Sequence, residues 1–277
     1  MHMQLAEIIG TLAGTIGERN ATRPRAYADA AAFIEQSLPS ASRHTFDSGV
    51  NIECQIRGND EIIIVGAHYD TVPGSPGADD NGSGVAAMIT IAKHFAAGVG
   101  GAPPRRTIRF VAFANEEPPF FATPQMGSLR YAERCRERNE RVVAMFSLET
   151  IGYFSDAPSS QQYPSMLHLI YPSSANFIAF VSNLKSRALL RQSVREFRKV
   201  SDVPAESGAL PEFIAGVSWS DQWAFWQCGY PAVMVTDTAL FRNPHYHTAT
   251  DRPQTLDYHR LTRVVDGLTG VVRELAR

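Results

Sequence analysis

Short apolar runs alternate with helix-like segments along most of the 277 residues, and this alternation limits the fold more than any other feature. Strand-like runs lie at residues 50–57, 61–66, 107–114, 142–148, 166–171 and 232–236. Helical patterns lie at residues 22–38, 84–97, 127–138 and 220–228, from 174 onward, and at 256–275. Such alternation predicts an α/β fold with a mixed, mostly parallel sheet and helices on both faces. We expect one domain over residues 1–277, with a helical lead-in over residues 1–40.

Local signals refine this assignment. Thr22 precedes Arg23-Pro24, which predicts a threonine N-cap followed by an early helical proline. Residues 50–57 alternate apolar with polar side chains and should be half buried, whereas residues 61–66 should be fully buried. The polar segments 200–211 and 155–164 are the predicted mobile loops.

The charge balance indicates a small-molecule or peptide partner. A formal net charge of -2 and a pI near 6.4 provide neither a nucleic-acid face nor a polybasic membrane patch. No apolar run approaches the roughly 20 residues that span a bilayer, so we expect a cytoplasmic protein, although trimming of an export signal would leave the same chain. Cys54, Cys135 and Cys228 are predicted to be small core residues. Nothing in the sequence indicates the oligomeric state.

Acidic and histidine clusters lie at the edges of the apolar runs. They are His68-Tyr69-Asp70, Asp79-Asp80-Asn81-Gly82, Asn115-Glu116-Glu117, Ser147-Leu148-Glu149 and His245-Tyr246-His247. Ligands of open α/β sheets bind at the carboxyl ends of the strands, so the clusters should meet there. Charged groups at the ends of buried strands need a cation or an ion partner to offset their desolvation. The pattern therefore predicts a carboxylate-rich metal site.

Together these clusters resemble the M28 family of dinuclear zinc aminopeptidases. The resemblance rests on five motifs in order: Gly66-Ala67-His68-Tyr69-Asp70, Gly77-Ala78-Asp79-Asp80-Asn81-Gly82-Ser83-Gly84, Asn115-Glu116-Glu117, Ser147-Leu148-Glu149 and His247-Thr248. It covers residues 62–255, which is most of the chain. The resemblance implies a zinc aminopeptidase-like fold and hydrolysis of the N-terminal residue of peptides.

The resemblance also implies the metal ligands. His68 and Glu149 would hold one metal, Glu117 and His247 the other, and Asp80 would bridge both. The cofactors would be two Zn²⁺ ions, although Mn²⁺ or Co²⁺ also occupy carboxylate-rich sites. Imidazole and carboxylate groups are ordinary zinc ligands.

Two further residues receive catalytic roles from the resemblance. Glu116 would be the general base and Asp70 would orient His68. Consecutive side chains of extended backbone point in opposite directions, so Glu116 can face the water while Glu117 faces a metal. The same geometry lets only Asp80 of the Asp79-Asp80 pair bridge, and Asp79 is expected to face a helix start or solvent.

The sequence also suggests how a substrate is held. A free α-amine beside clustered carboxylates favours cleavage from the N-terminus, whereas Arg242 leaves open a clamp for a carboxylate terminus. Phe120 and Phe121, in the loop after Glu117, are predicted to wall a pocket for a hydrophobic first residue.

The chain departs from the family at one motif. It has Ser220-Asp221-Gln222 where many members have Ser-Asp-His, and the oxyanion-binding tyrosine near that position has no clear match. Tyr246 or Ser218 are the predicted substitutes. Two alternatives remain: a glutaminyl cyclase with a single zinc, and a non-catalytic binding module on the same fold.

Overall fold

The computed structural model describes residues 1–98 and 103–277. Its strands are β1 Ser42–Phe46, β2 Gly49–Ile56, β3 Asn59–His68, β4 Arg106–Phe113, β5 Arg141–Glu149, β6 Ile178–Ser182, β7 Ala205–Ala209 and β8 Ala232–Thr236. Its α-helices are α1 His2–Ile9, α2 Pro24–Ser37, α3 Gly84–Ala96, α4 Gly127–Glu137, α5 Arg187–Val200, α6 Gln222–Gln227 and α7 Tyr258–Leu275.

All eight strands form a single mixed sheet in the order β1-β2-β4-β3-β5-β8-β6-β7. The central strands β4, β3, β5 and β8 run parallel, and β6 and β7 run parallel to each other but antiparallel to β8. At the opposite edge β1 and β2 pair antiparallel, and β2 joins β4 in the same manner. The predicted mixed, mostly parallel sheet is confirmed.

Helices cover both faces of this sheet. Ile63 and Val65 of β3 belong to an apolar layer shared with α1, α3, α5 and α7. Ile62 and Ile64 face the other way, into a layer with α4 and α6. Because both faces are buried, the strand reads as a continuous apolar run, and the prediction of a fully buried strand at 61–66 is confirmed.

The segment after β5 differs from the predictions. The strand predicted at 166–171 is wrong: a short 3₁₀ helix spans Ser165–Leu169, and Ile170 is 75% exposed. The helix predicted from Ser174 is also wrong, because β6 lies there and α5 begins only at Arg187. Short apolar runs do not separate strand from helix by periodicity alone.

The loop predictions have mixed outcomes. Residues 200–211 contain the strand β7. The prediction of a mobile loop over these residues is therefore wrong. Residues 155–164 form neither helix nor strand, and their mobility stays a prediction.

The start of α2, the cysteines and the helix lengths bear on three further predictions. Thr22 is not an N-cap, because its hydroxyl donates to Asn20 Oδ1 at 2.6 Å and α2 begins after Arg23 without a side-chain cap. All three cysteines are buried, as predicted. Among the described residues, no helix is both long and apolar enough to cross a bilayer.

Candidate metal centre

The sheet order brings the strand ends together. Strand β3 ends at His68 between its neighbours β4 and β5, β5 ends at Glu149, and Glu116 follows β4 by three residues. His68 Nε2 lies 3.2 Å from Glu149 Oε2 and 3.3 Å from Asp80 Oδ1. The predicted meeting of remote motifs at the carboxyl edge of the sheet is therefore present in the structure.

A second histidine approaches from the loop after β8. His247 Nε2 lies 3.0 Å from Asp80 Oδ2 and 3.4 Å from Glu117 Oε2. The two oxygens of Asp80 thus face different histidines. Asp80 therefore belongs to two groups of possible metal ligands. One group consists of His68, Asp80 and Glu149, and the other of Asp80, Glu117 and His247. Within each group the ligand atoms lie within 4.8 Å of one another.

The donor atoms of this cluster suit a divalent cation. His68 Nε2, Asp80 Oδ1 and Glu117 Oε1 are buried, and none makes a well-aligned hydrogen bond with a described residue. Buried polar atoms without a partner are rare in folded proteins. Imidazole nitrogens and carboxylate oxygens are zinc ligands, so these residues could hold zinc.

The electrostatics point the same way. Burial, reinforced by Asp80, raises the pKa of Glu117 to about 8. Burial acts to lower the pKa of His247, but Asp80 and Glu117 outweigh it and raise that pKa to about 10. Without a cation the cluster would therefore hold protons, because its carboxylates repel one another in a desolvated site.

Asp70 contacts both His68 and the Glu116-Glu117 backbone. Its carboxylate accepts the backbone N–H groups of Glu116 at 3.1 Å and Glu117 at 3.0 Å. Its Oδ1 also lies 3.5 Å from His68 Nδ1, which is 3.2 Å from the Asp70 carbonyl oxygen. Asp70 therefore positions the Glu116-Glu117 backbone as well as the histidine ring.

The loop that carries Asp80 is held by buried acids. Asp251 accepts the backbone N–H groups of Asp79 at 2.9 Å and Asp80 at 3.1 Å. The Asp79 side chain is fully buried and accepts from Gly152 N–H at 2.9 Å and Asn243 Nδ2 at 2.7 Å. The expectation that Asp79 faces a helix start or solvent is wrong, because it joins the loop to the segment after β5.

Two supporting residues were not predicted. Arg19 is fully buried and donates to the carbonyl oxygens of Tyr69, Pro76 and Gly77 at 2.7, 2.6 and 2.8 Å. Its sequence surroundings carry no signal for this role. Ser220 donates to Glu149 Oε2 at 2.6 Å, and its place in the Ser220-Asp221-Gln222 motif could have indicated it.

An apolar cleft with a volume of about 110 Å³ opens beside Glu149. Its walls include Val181, Leu210, Ile214 and Met234. Tyr246 also lines it and stacks on His247 with ring centroids 3.8 Å apart.

The other predicted substrate residues lie elsewhere. Phe120 and Phe121 are not among the described lining residues, and Phe121 packs on the Trp223 ring, so their role at the substrate stays a prediction. Ser218 is half buried and donates to the Glu212 carbonyl oxygen. The buried Arg242 is not itself a lining residue, but it donates to Gln161 Oε1 at 2.9 Å and to the Phe177 carbonyl oxygen at 2.8 Å, and both partners belong to the cleft wall.

Comparison with known proteins supports this geometry. The sequence profile of Peptidase family M28 matches residues 51–272. The Escherichia coli protein YfbL is 38% identical over 216 residues, which are 75% of this chain and 65% of that protein. The chain thus spans less than two thirds of the length of this relative.

Solved structures share the fold. The Legionella pneumophila LapA aminopeptidase has a TM-score of 0.78 at 19% identity, covering 100% of this chain and 72% of that one. The Fimbriiglobus ruber glutaminyl cyclase has a TM-score of 0.70 at 18% identity, covering 99% of this chain and 95% of that one. Because this family profile matches most of the chain, the chain belongs to peptidase family M28.

Proposed function

We propose that this chain is a single-domain aminopeptidase that releases the N-terminal residue of peptides with the help of two zinc ions. The main support for this proposal is that the two carboxylate oxygens of Asp80 face different histidines. Oδ1 faces His68 and Oδ2 faces His247. A carboxylate with one histidine on each oxygen is suited to bridging two cations.

The proposed ligands follow from these two groups. His68 and Glu149 would hold one zinc, Glu117 and His247 would hold the other, and Asp80 lies within reach of both groups. Bound zinc supplies a Lewis acid for the scissile carbonyl and lowers the pKa of water. The hydrogen bond from Ser220 to Glu149 orients that carboxylate.

Glu116 is the proposed general base. Its Oε2 lies 3.8 Å from His68 Nε2, so the carboxylate borders the cluster. Burial raises the pKa of Glu116 well above its ordinary value, against the opposing effect of His68. A carboxylate with a raised pKa can take the proton of the attacking water and deliver it to the leaving amine.

The charges around the cleft favour an N-terminal substrate. Among the described residues, the cleft lining contains Glu149 and Glu206 but no lysine, arginine or histidine. Arg242, the sequence-based candidate for a carboxylate clamp, does not line the cleft; its Nε and Nη1 atoms donate to Gln161 and backbone carbonyl groups, whereas its buried Nη2 has no partner among the described residues. An α-ammonium group is therefore a better match than an α-carboxylate.

A glutaminyl cyclase is the second candidate, because the Fimbriiglobus ruber enzyme shares the fold over nearly its full length. A single zinc would use only one of the two groups around Asp80. The presence of both groups, His68 with Glu149 and Glu117 with His247, around Asp80 favours the two-metal peptidase.

Metal analysis combined with two activity assays tests the proposal. We expect about two equivalents of zinc and chelator-sensitive release of the first residue from aminoacyl amides. Glu116→Gln should keep the zinc and lower kcat by about 10²–10⁴-fold, since it removes the base. The control is Glu137→Gln, which changes an exposed glutamate of α4 and should have no effect. One equivalent of zinc with cyclisation of N-terminal Gln would support the cyclase instead.

A further inference from the structure

The floor of the apolar cleft is a row of side chains that crosses four strands. Glu149 of β5 pairs with Thr236 of β8, Thr236 pairs with Ala179 of β6, and Ala179 pairs with Glu206 of β7. Paired residues of neighbouring strands project from the same face of a sheet. All four residues line the cleft, so a carboxylate stands at each end of this row.

Glu206 has no ionic partner of its own in the described structure. It is half buried at the edge strand and takes part in none of the ion pairs or side-chain hydrogen bonds of the described residues. The nearby hydroxyls are engaged, since Tyr171 donates to the Ser207 carbonyl oxygen at 2.9 Å and Tyr163 to the Pro172 carbonyl oxygen at 2.5 Å. A half-buried carboxylate in an apolar cleft costs free energy, which a cationic ligand group would offset.

The surface beside this row of residues is apolar. Val181 and Met234 pair across β6 and β8, and Leu210 follows β7 on the same side. The methylene stems of lysine and arginine pack well on such surfaces while the charged end reaches a polar partner. The cleft therefore combines an apolar floor with a negative far end.

From these observations we propose that Glu206 receives the cationic end of the substrate's first side chain, so that the enzyme prefers N-terminal lysine or arginine. This inference rests on the proposed aminopeptidase function.

The span of the row fits this substrate. Neighbouring strands lie about 4.8 Å apart, so the three steps from Glu149 to Glu206 cover about 14 Å. An extended lysine or arginine side chain reaches roughly 6–7 Å from its Cα, given bonds of about 1.5 Å. The α-amine would donate a hydrogen bond to Glu149 and the side-chain cation would donate one to Glu206, each about 2.8 Å long. With these two hydrogen bonds, the substrate matches the distance of about 14 Å between the two glutamates.

Norleucine provides the matched comparison, because it has an apolar side chain of similar length and no charge. We expect wild-type kcat/KM for lysyl and arginyl amides to exceed that for the norleucyl amide by at least about tenfold. Glu206→Gln should lower kcat/KM for the cationic substrates by about 10–100-fold and change the norleucyl value by less than about threefold. Asp202→Asn, which alters an acid that is 72% exposed and paired with Arg263, should leave all three values unchanged.

The outcomes separate this inference from the proposed function. If the zinc-loaded wild type cleaves the norleucyl amide as well as the lysyl amide, or if Glu206→Gln keeps the wild-type ratio, the inference is overturned and the peptidase stands. If no amide is cleaved, the aminopeptidase proposal fails, and calorimetric binding of lysinamide and norleucinamide decides the inference. If Glu206→Gln weakens the binding of lysinamide but not of norleucinamide, the inference is supported. If the variant weakens the binding of both compounds equally, or of neither, the inference is overturned.

Discussion

Asp221 is a fully buried carboxyl group next to the candidate centre. It follows Ser220, the hydrogen-bond donor to Glu149. Burial raises the pKa of Asp221 to about 7, although the charge of His68 opposes the shift. The folded protein thus binds the Asp221 proton more tightly than the unfolded chain, in which an aspartate has a pKa of about 3.9.

This shift predicts a pH-dependent stability. The protonated group contributes stability below pH 3.9, and the contribution is lost as the pH rises through about 7, with a slope of up to about 1.4 kcal/mol per pH unit. Asp221→Asn should remove that slope. Urea unfolding of chelated wild type and variant from pH 4 to pH 8 measures it. If the difference in unfolding free energy between the two proteins does not change with pH, Asp221 ionises normally.

Residues of the candidate centre differ in how well the sequence alone identifies them. His68, Glu116, Glu117, Glu149 and Asp80 could be selected from sequence because each follows or ends a segment with a local strand or turn pattern. The structure brings them together, and their roles stay proposals. Arg19 and Asp251 could not be selected, because their partners are backbone groups of remote loops and no local spacing encodes such contacts.

At the scale of elements, Arg19 joins the segment between α1 and α2 to the loop after β3. Besides its bonds to Tyr69, Pro76 and Gly77, its backbone N–H donates to Thr71 Oγ1 at 3.2 Å. Burial lowers the pKa of the guanidinium to about 10, so it remains charged at neutral pH. The loop leads directly to Asp79 and Asp80, so Arg19 supports a ligand that it does not touch.

Arg19→Met should therefore destabilise the fold and weaken zinc binding together. Several buried carbonyl groups lose a charged donor, and we expect a loss of about 3–5 kcal/mol in the free energy of unfolding. Urea unfolding and zinc titration measure the two effects. Arg25→Met, at an exposed position of α2, is the control and should change stability by less than about 0.5 kcal/mol. A stable variant with normal zinc affinity would exclude this role for Arg19.

Most of the elements that were predicted correctly have two buried faces or a clear helical period, and the half-buried β2 was found from its alternation of apolar and polar residues. Strands β3, β4 and β5 are rich in apolar residues, and α3 and α7 carry an apolar face. Strand β7 was missed because its sequence, Ala-Glu-Ser-Gly-Ala, has few strand-forming residues. It forms at the sheet edge by pairing with β6, which is a tertiary effect, and it supplies Glu206 to the cleft.

At the scale of the whole molecule, the fold gathers like charges at one edge of the sheet. Asp80, Glu116, Glu117 and Glu149 come from three separate segments and are all buried. Their mutual repulsion opposes folding unless protons or cations offset it. A ligand that binds only the folded state stabilises it by mass action, by about 2.7 kcal/mol at a free concentration one hundred times its Kd.

Removal of metal should therefore lower the melting temperature. For a chain of this size about 1 kcal/mol corresponds to roughly 2–4 °C, so saturating one site at one hundred times its Kd predicts a shift of about 5–10 °C. Thermal unfolding of zinc-loaded wild type, with and without chelator, measures the shift. Asp80→Asn weakens both ligand groups and should largely abolish the chelator effect, whereas Glu137→Gln should retain it. If neither zinc nor chelator changes the melting temperature of the wild type, the buried carboxylates are neutralised by protons alone.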